Sequence, residues 1–417
     1  MTIKKYLSAY AEPEISSLDL DISLSFDSLL VLPIFDEPIE NLNHFLEVDT
    51  EKTVIMIWVF NCPDNASDEA QTRTLQAMNH FIQSLTAQAL CSNSDIFFSQ
   101  ISKKLRIFIF DRCSEGKEIP VKQGVGLARK LGMDLGLKLI HWQEQERGEI
   151  VPWMHSCDAD VYLPDTYFDI APPSTGEAAV LYPFRHNAQE GYEQAMALYD
   201  LSLRYYVDQL ASANSPYAFH TIGSLIAVAP LAYAQVRGMP KRSGAEDFYF
   251  LNKLAKVGKV LSLNKPLLMI AGRPSHRVPF GTGPALIKIK DMEDPLEEYV
   301  LYHPLIFSAL KMVLETLSAN ERPISSVELW FDQIRNRMGD YMAEAVISTF
   351  KELRLDKQFQ HLKQKKDINS FIQAFHIWFD AFVTLRFIHI LRDKAYPSIT
   401  LKQLEESGVD VEHYSRS

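Results

Sequence analysis

Positive charge is scarce in this chain. Its 42 Lys and Arg face 53 Asp and Glu, for a formal net charge of −11. A general nucleic-acid binder needs a surplus of cations, so that class is excluded, although a diphosphate needs only a few local ones. Cysteine is scarce too: the four, at 62, 91, 113 and 157, show neither zinc-knuckle nor C-x-x-C spacing and read as reduced thiols. The first residues lack the apolar core of a signal peptide, so a cytoplasmic protein is expected, free or peripheral at a membrane surface. Long apolar runs are missing as well. Residues 209–236 carry no Asp, Glu, Lys or Arg, but Asn214, Pro216, His220, Gly223 and Pro230 interrupt them. A spanning helix wants about 20 apolar residues, so a buried strand and the start of a helix are expected here, and no transmembrane span. No dinucleotide fingerprint is complete, because Arg129 stands where the third glycine belongs. There is no P-loop, no G-x-S-x-G elbow, no repeat and no low-complexity tract.

What is present is an alternation of strand-like and helix-like segments. Residues 29–35 (LLVLPIF), 53–60 (TVIMIWVF), 105–110 (LRIFIF) and 149–156 (EIVPWMHS) read as buried strands. Between them, Ser67 is placed to cap a helix carrying Leu75, Met78, Phe81 and Leu85. Residues 124–139 repeat leucine at 127, 131, 135 and 139. The pattern predicts an α/β domain with a mostly parallel central sheet. Each strand runs into polar residues at its carboxyl end: Asp36, Asn61, Asp111, and Asp158 with Asp160. That end is where open α/β sheets bind ligands. The last ~130 residues read as long helices over 304–318, 327–353 and 368–391. The aromatics Phe371, Phe375, Trp378, Phe379, Phe382 and Phe387 read as core, and residues 363–366 (KQKK) as a solvated helix end. The expected organisation is an extension over 1–27, an α/β domain over 28–285 and a helical domain over 286–417.

Four segments carry candidate chemistry. Asp158 and Asp160, two residues apart past a strand, suit one hard divalent cation, Mg²⁺ or Mn²⁺, bridged to a diphosphate. Glu246 and Asp247 open a helix, where a carboxylate can serve as general base. Residues 273–283 (RPSHRVPFGTG) gather Arg273 and Arg277 for phosphate oxygens and His276 as a metal ligand or phosphate donor. Residues 122–129 (KQGVGLAR) bring Lys122, Arg129 and two glycines to a helix start, a plausible phosphate edge.

The order of these motifs resembles the GT-A glycosyltransferases, in particular the family 2 type. Residues 31–37 (VLPIFDE) are similar to that family's opening V-V-I-P-x-Y-N-E strand, and 124–132 (GVGLARKLG) to its G-x-x-x-A-R-N-x-G segment, with Lys130 in place of Asn. Residues 153–160 (WMHSCDAD) match its strand ending in D-x-D. Residues 223–230 (GSLIAVAP) and 244–247 (GAED) resemble its small-residue strand and E-D pair, with Pro230 replacing the usual Arg. Residues 247–258 look like its helix after that pair, with Lys253 near the basic position. The likeness spans roughly 28–285. It implies a GT-A (nucleotide-diphospho-sugar transferase-like) fold, a nucleoside diphosphate sugar donor and a divalent metal on Asp158 and Asp160. It also implies His276 completing the metal site, and Asp247 as base with Glu246 the second choice. The nucleoside would lie along Pro33, Phe35, Asn61 and Arg129. The implied reaction is transfer, with inversion, to an acceptor hydroxyl on a small molecule, a glycan or a lipid-linked group. The helical tail is expected to shape the acceptor site or an oligomer interface. Two other readings stand beside it: a non-catalytic nucleotide-sugar binder that keeps the fold, and a sugar nucleotidyltransferase. The latter normally shows a glycine-rich G-x-x-x-R signature, which residues 36–40 lack.

Overall fold

The computed structural model describes residues 1–18, 24–90, 94–148, 151–275 and 281–409. Two compact units emerge. One holds Met1–Asn187 with Thr221–Gly272; the other holds Ala188–His220 with the described residues after Gly272. This division differs from the boundaries expected at 28 and 285. The first 18 residues pack within the first unit, and the helix Glu193–Ser212 goes to the second.

The strands in chain order are β1 (Ser28–Ile34), β2 (Val54–Asn61), β3 (Gln88–Ala89), β4 (Ile96–Gln100), β5 (Leu105–Arg112), β6 (Met154–Ser156), β7 (Val161–Tyr162), β8 (Glu177–Leu181), β9 (Phe184–Ala188), β10 (Ile226–Val228), β11 (Lys259–Ser262), β12 (Leu268–Gly272), β13 (Val300–Leu301) and β14 (Ile399–Thr400). Nine form one sheet in the order β11-β8-β10-β6-β1-β2-β5-β4-β3. The α/β class stands, but the sheet is mixed and not mostly parallel. β6, β1, β2 and β5 run parallel at its centre, whereas β10 runs against both β6 and β8, and β4 against β5. Residue pattern does not encode direction: an apolar run such as Ile226–Val228 buries equally well either way. β1 and β2 are buried at every position, which explains why neither alternates. β6 is shorter than the expected 149–156, beginning only after Pro152, whose ring nitrogen cannot join a ladder.

The helix Gly124–Arg147 lies on β1 through two glycines. A Cβ on Gly132 would collide with Val31 Cγ1 and press on Val59 Cγ2 at 3.3 Å, and one on Gly136 would meet Leu29 Cδ2 at 2.7 Å. On another side the helix carries Asp134, which is wholly buried. Its carboxylate accepts from Tyr6 Oη (2.6 Å), Tyr233 Oη (2.7 Å), Lys130 Nζ (2.7 Å) and the Glu12 backbone N–H (2.9 Å). The N-terminal residues are thereby fastened to the helix. Ser67 caps the helix Asp68–Ser84 as expected, accepting from the Ala70 N–H.

In the second unit the helix Pro304–Ser318 forms where expected, but two long helices are each broken. Residues 327–353 split into Val327–Arg337 and Asp340–Glu352 because Met338 and Gly339 are extended. Residues 368–391 split into Ile368–Trp378 and Ala381–Lys394, where Asp380 caps the second piece by accepting from the Val383 N–H at 3.0 Å. Phe371, Phe375, Phe379 and Phe387 are buried in one core with Trp330 and Phe350, while Trp378 is half-buried and Phe382 exposed. Lys363, Lys365 and Lys366 are exposed, as a solvated helix end requires. Among the described residues no single helix is long and apolar enough to cross a membrane.

Replacing Asp134 by Ala takes from the buried Lys130 ammonium its nearest carboxylate and leaves it Glu12 Oε1 at 3.6 Å. Removing one partner of a buried ion pair costs up to about 3–5 kcal/mol. The urea midpoint of Asp134→Ala is expected to fall accordingly, with Asp134→Asn falling less; a midpoint unchanged in both would disprove the anchoring role.

Candidate functional site

The site is organised around Arg129, on the first turns of the Gly124–Arg147 helix and only 3% exposed. Its Nη1 donates to Ser156 Oγ at 2.6 Å, its Nη2 to Asp158 Oδ1 at 2.6 Å, and its Nε to Glu246 Oε1 at 3.2 Å. One guanidinium therefore joins the end of β6, the D-x-D turn and the start of the helix Glu246–Leu254. Two approaches make room for it. Gly223 lies against the guanidinium so closely that a Cβ there would be 2.6 Å from Nη2. Ala245 takes a left-handed conformation (φ 54°) directly before Glu246. A non-glycine residue seldom pays that conformational cost unless its surroundings hold it there.

The helix start at 124–129 does not offer itself to a phosphate as the sequence suggested. The Gly126 N–H is taken by Arg242 O at 3.0 Å, and a Cβ on Gly124 would meet Ser243 Cα at 2.7 Å. The glycines admit the chain's own 240–243 loop. Lys122 is exposed, whereas Arg129 spends its donors on protein oxygens.

The acidic groups of the site outnumber this cation. Burial works against the charge of Arg129, but Asp158 and Glu246 outweigh it and hold the guanidinium firmly protonated. Glu246 is pushed up by burial, with Arg129 opposing. Asp247 is pushed up to about 7, by burial first and then by the neighbouring negative charge of Glu246; a bond from the Phe248 N–H to its Oδ1 (2.7 Å) pulls the other way. A carboxyl group poised near neutrality is suited to exchanging protons.

Asp158 uses one oxygen on Arg129 and keeps 35% of its side chain exposed. Asp160 lies just past it, its backbone carbonyl accepting from the Ala271 N–H at 2.9 Å. Cys157, between the strand and this turn, is raised well above the usual thiol range by burial and by both aspartates, so it remains a thiol. Among the described residues no group of three or more His, Cys, Asp or Glu is arranged to hold a metal ion. His276 and Arg277 lie outside the described residues. Arg273 belongs to the second unit.

Of the expected nucleoside contacts, Pro33 is buried within β1, opposite Val59, and Phe35 is half-buried just beyond that strand. Asn61 ends β2; it is 5% exposed, and its Oδ1 has no hydrogen-bond partner among the described residues. Ser156 and Gly223 carry roles that sequence reasoning had not given them. Ser156 precedes the D-x-D turn by a single buried residue, and Gly223 opens the turn into β10. Nothing in a one-dimensional pattern pairs either with Arg129.

The raised pKa of Asp247 gives a pH signature. A carboxyl whose folded value exceeds its unfolded value favours the folded state below the unfolded value, and that contribution is lost as pH rises through the folded one. Between about pH 4 and 7 Asp247 should thus erode stability, and Asp247→Asn should remove the effect. The thermal midpoint of the variant minus that of the parent is expected to be several degrees larger at pH 8 than at pH 4. An equal difference at both pH values would show that Asp247 titrates normally. Against this geometry stands the comparison with known proteins: no protein-family model matches the chain, and no curated protein matches it.

Proposed function

We propose that this protein is a metal-dependent glycosyltransferase of GT-A type, moving a sugar from a nucleoside diphosphate to an acceptor hydroxyl. The observation that carries the reading is the Arg129 junction. Two acidic motifs 88 residues apart, Asp158-x-Asp160 and Glu246–Asp247, converge on one buried guanidinium beyond the carboxyl end of β6. A metal-held leaving group and a base must act within one substrate's length, and this convergence supplies both kinds of group.

The donor set suits Mn²⁺ or Mg²⁺. Asp158 has one oxygen not used by Arg129, Asp160 adds a second carboxylate, and such ions complete their shell with waters and substrate phosphates. When bound there, the ion supplies positive charge against the diphosphate that departs. His276 is the third ligand in this proposal. The chain's own residues do the rest. Asp247, near its midpoint at neutral pH, accepts the acceptor's proton as that oxygen attacks the anomeric carbon. Glu246 stays on Arg129 and orients the helix start that carries Asp247. Asn61 Oδ1, buried without a partner among the described residues, is an acceptor available to a nucleobase N–H, with Pro33 and Phe35 beside the base. Arg273, Arg277 and Lys122 are the proposed phosphate cations, and Arg129 acts on phosphate only through Asp158. The enzyme acts in the cytosol, on a soluble or membrane-surface acceptor, with any oligomer contact made by the C-terminal helices.

A thermal-shift screen of nucleoside diphosphates with and without Mn²⁺ tests the reading. At least one should raise the midpoint only in the presence of metal; if none does, the proposal fails. With that nucleotide, Asp160→Ala should abolish the metal-dependent part of binding measured by calorimetry. Asp247→Asn should keep that binding while slowing Mn²⁺-dependent donor hydrolysis by about 10²–10⁴-fold, the usual worth of a general base. Unchanged turnover would remove Asp247 from the mechanism, and binding without any hydrolysis in the parent would favour a sensor.

A further inference from the structure

Cys62 and Cys113 occupy equivalent places on neighbouring strands. β2 and β5 run parallel and in register through Asn61 opposite Arg112, so the next residue of each chain, Cys62 and Cys113, stands at the same level. The Cys62 N–H donates to Arg112 O at 2.9 Å, continuing the ladder one step beyond the named strands. Adjacent strands lie about 4.8 Å apart, within the Cα separation that a disulfide spans. Residues level with one another on paired strands project to the same face of the sheet, which sets the two thiols side by side.

Their surroundings treat them unequally. Cys113 keeps its proton: the neighbouring Cys62 and burial push it up, and the Asp111 carboxylate, whose Oδ1 lies 3.7 Å from its Sγ, adds to this; Met78 Sδ lies at the same distance. Cys62 faces no such anion at hydrogen-bonding distance and is held below the usual thiol range, chiefly by the bond from Cys113. One sulfur is therefore prepared to attack and the other to resolve. Both are buried beneath two loop segments. The 113–119 loop folds back so that the Ile119 N–H donates to Cys62 O (2.8 Å) and the Asp64 N–H to Ile119 O (2.9 Å). Asp64, Asn65, Glu115 and Gly116 on the two covering segments are exposed.

We propose that Cys62 and Cys113 form a reversible disulfide when the folded protein meets a peroxide. The Cys62 sulfur attacks one peroxide oxygen; the O–O bond breaks, leaving Cys62 as a sulfenic acid and releasing water. The Cys113 sulfur then attacks the Cys62 sulfur. The S–S bond forms, the S–O bond breaks, and the departing hydroxide takes the Cys113 proton as a second water. Two electrons pass from the thiol pair to the peroxide, and a dithiol reductant returns them. The bridge ties the loops after β2 and β5 together, immediately beyond Asn61 and Asp111. The inference rests on strand register and the level placement of the two cysteines, and holds whatever ligand the protein binds.

The test is hydrogen peroxide treatment of the folded full-length protein, thiol blocking, and tryptic mapping without reductant. The tryptic peptides 53–73 and 113–117 each contain one of these cysteines, and 74–103 and 148–185 contain the other two. The expected product joins 53–73 to 113–117, disappears with dithiothreitol, and persists in Cys91→Ser. In Cys113→Ser the attack has no resolving partner, so Cys62 should be trapped as a sulfenic acid by dimedone. A native circular dichroism spectrum establishes that each oxidised sample is folded. Native protein in which Cys62 and Cys113 remain unlinked after Cys91 has been oxidised would overturn the proposal. So would linkage that arises only in urea.

Discussion

A guanidinium with almost no access to water has to be surrounded by oxygens, and this requirement shapes the first unit. Arg129 is charged and buried, and such a group is tolerated only when its donors are matched. Ser156, Asp158 and Glu246 match them. Two chain segments distant in sequence, 156–158 and the helix start at Glu246, are thereby fixed to one point. Removing the guanidinium would leave the buried Glu246 and the half-buried Asp158 facing each other with no cation between them. The positions of Gly223 and Ala245 follow from the same requirement. One leaves out a side chain so that the guanidinium fits; the other adopts an unfavourable backbone so that Glu246 reaches it.

The balance of charge at this point has a further consequence. Asp158, Asp160, Glu246 and Asp247 bring four carboxyl groups to the neighbourhood of one Arg. Repulsion of that kind is relieved by holding a proton or by attracting a cation. Asp247 shows the first response, its pKa raised to about 7 by burial and by Glu246. Asp158 and Asp160, half-buried past the end of β6, are the groups for which the second response is available. Division of labour between neighbouring carboxylates is what acid–base and metal chemistry in one site require, and here burial together with the charge of Glu246 sets it.

Much of this was legible in the sequence, and the reasons for the rest are specific. The apolar strands β1, β2 and β5 announce themselves by composition, and the helix at Ser67 by its cap. The acidic pairs could be found because they follow or open elements. Strand direction was not legible, so β10 was not recognised as antiparallel to its neighbours. Helix breaks at Gly339 and Asp380 were hidden because the apolar spacing on either side continues through them. Arg129 was read as a phosphate contact since a cation near two glycines at a helix start commonly is one; its tertiary partners decide otherwise. The Lys130–Asp134 spacing of four residues was the available sign that this helix carries an ion pair on one face.

Arg129 and Lys130 are neighbours on one turn, and their divergence explains how the site keeps its geometry. Lys130 turns to Asp134, Tyr6 and the carbonyl of Tyr10, binding the N-terminal residues. Arg129 turns to the acidic motifs. The two glycines one and two turns further along set the helix directly on Leu29 and Val31 of β1. The helix is thus fixed against the sheet, against the N-terminal segment and against the acidic loops. A long, flexible Arg side chain normally loses much conformational entropy when it is placed. Here close packing on several sides of the helix, with Gly223 against the guanidinium itself, leaves few alternatives for its end. The carboxylates that it holds inherit that restriction, which is the pre-organisation that a site of this charge needs before any ligand arrives.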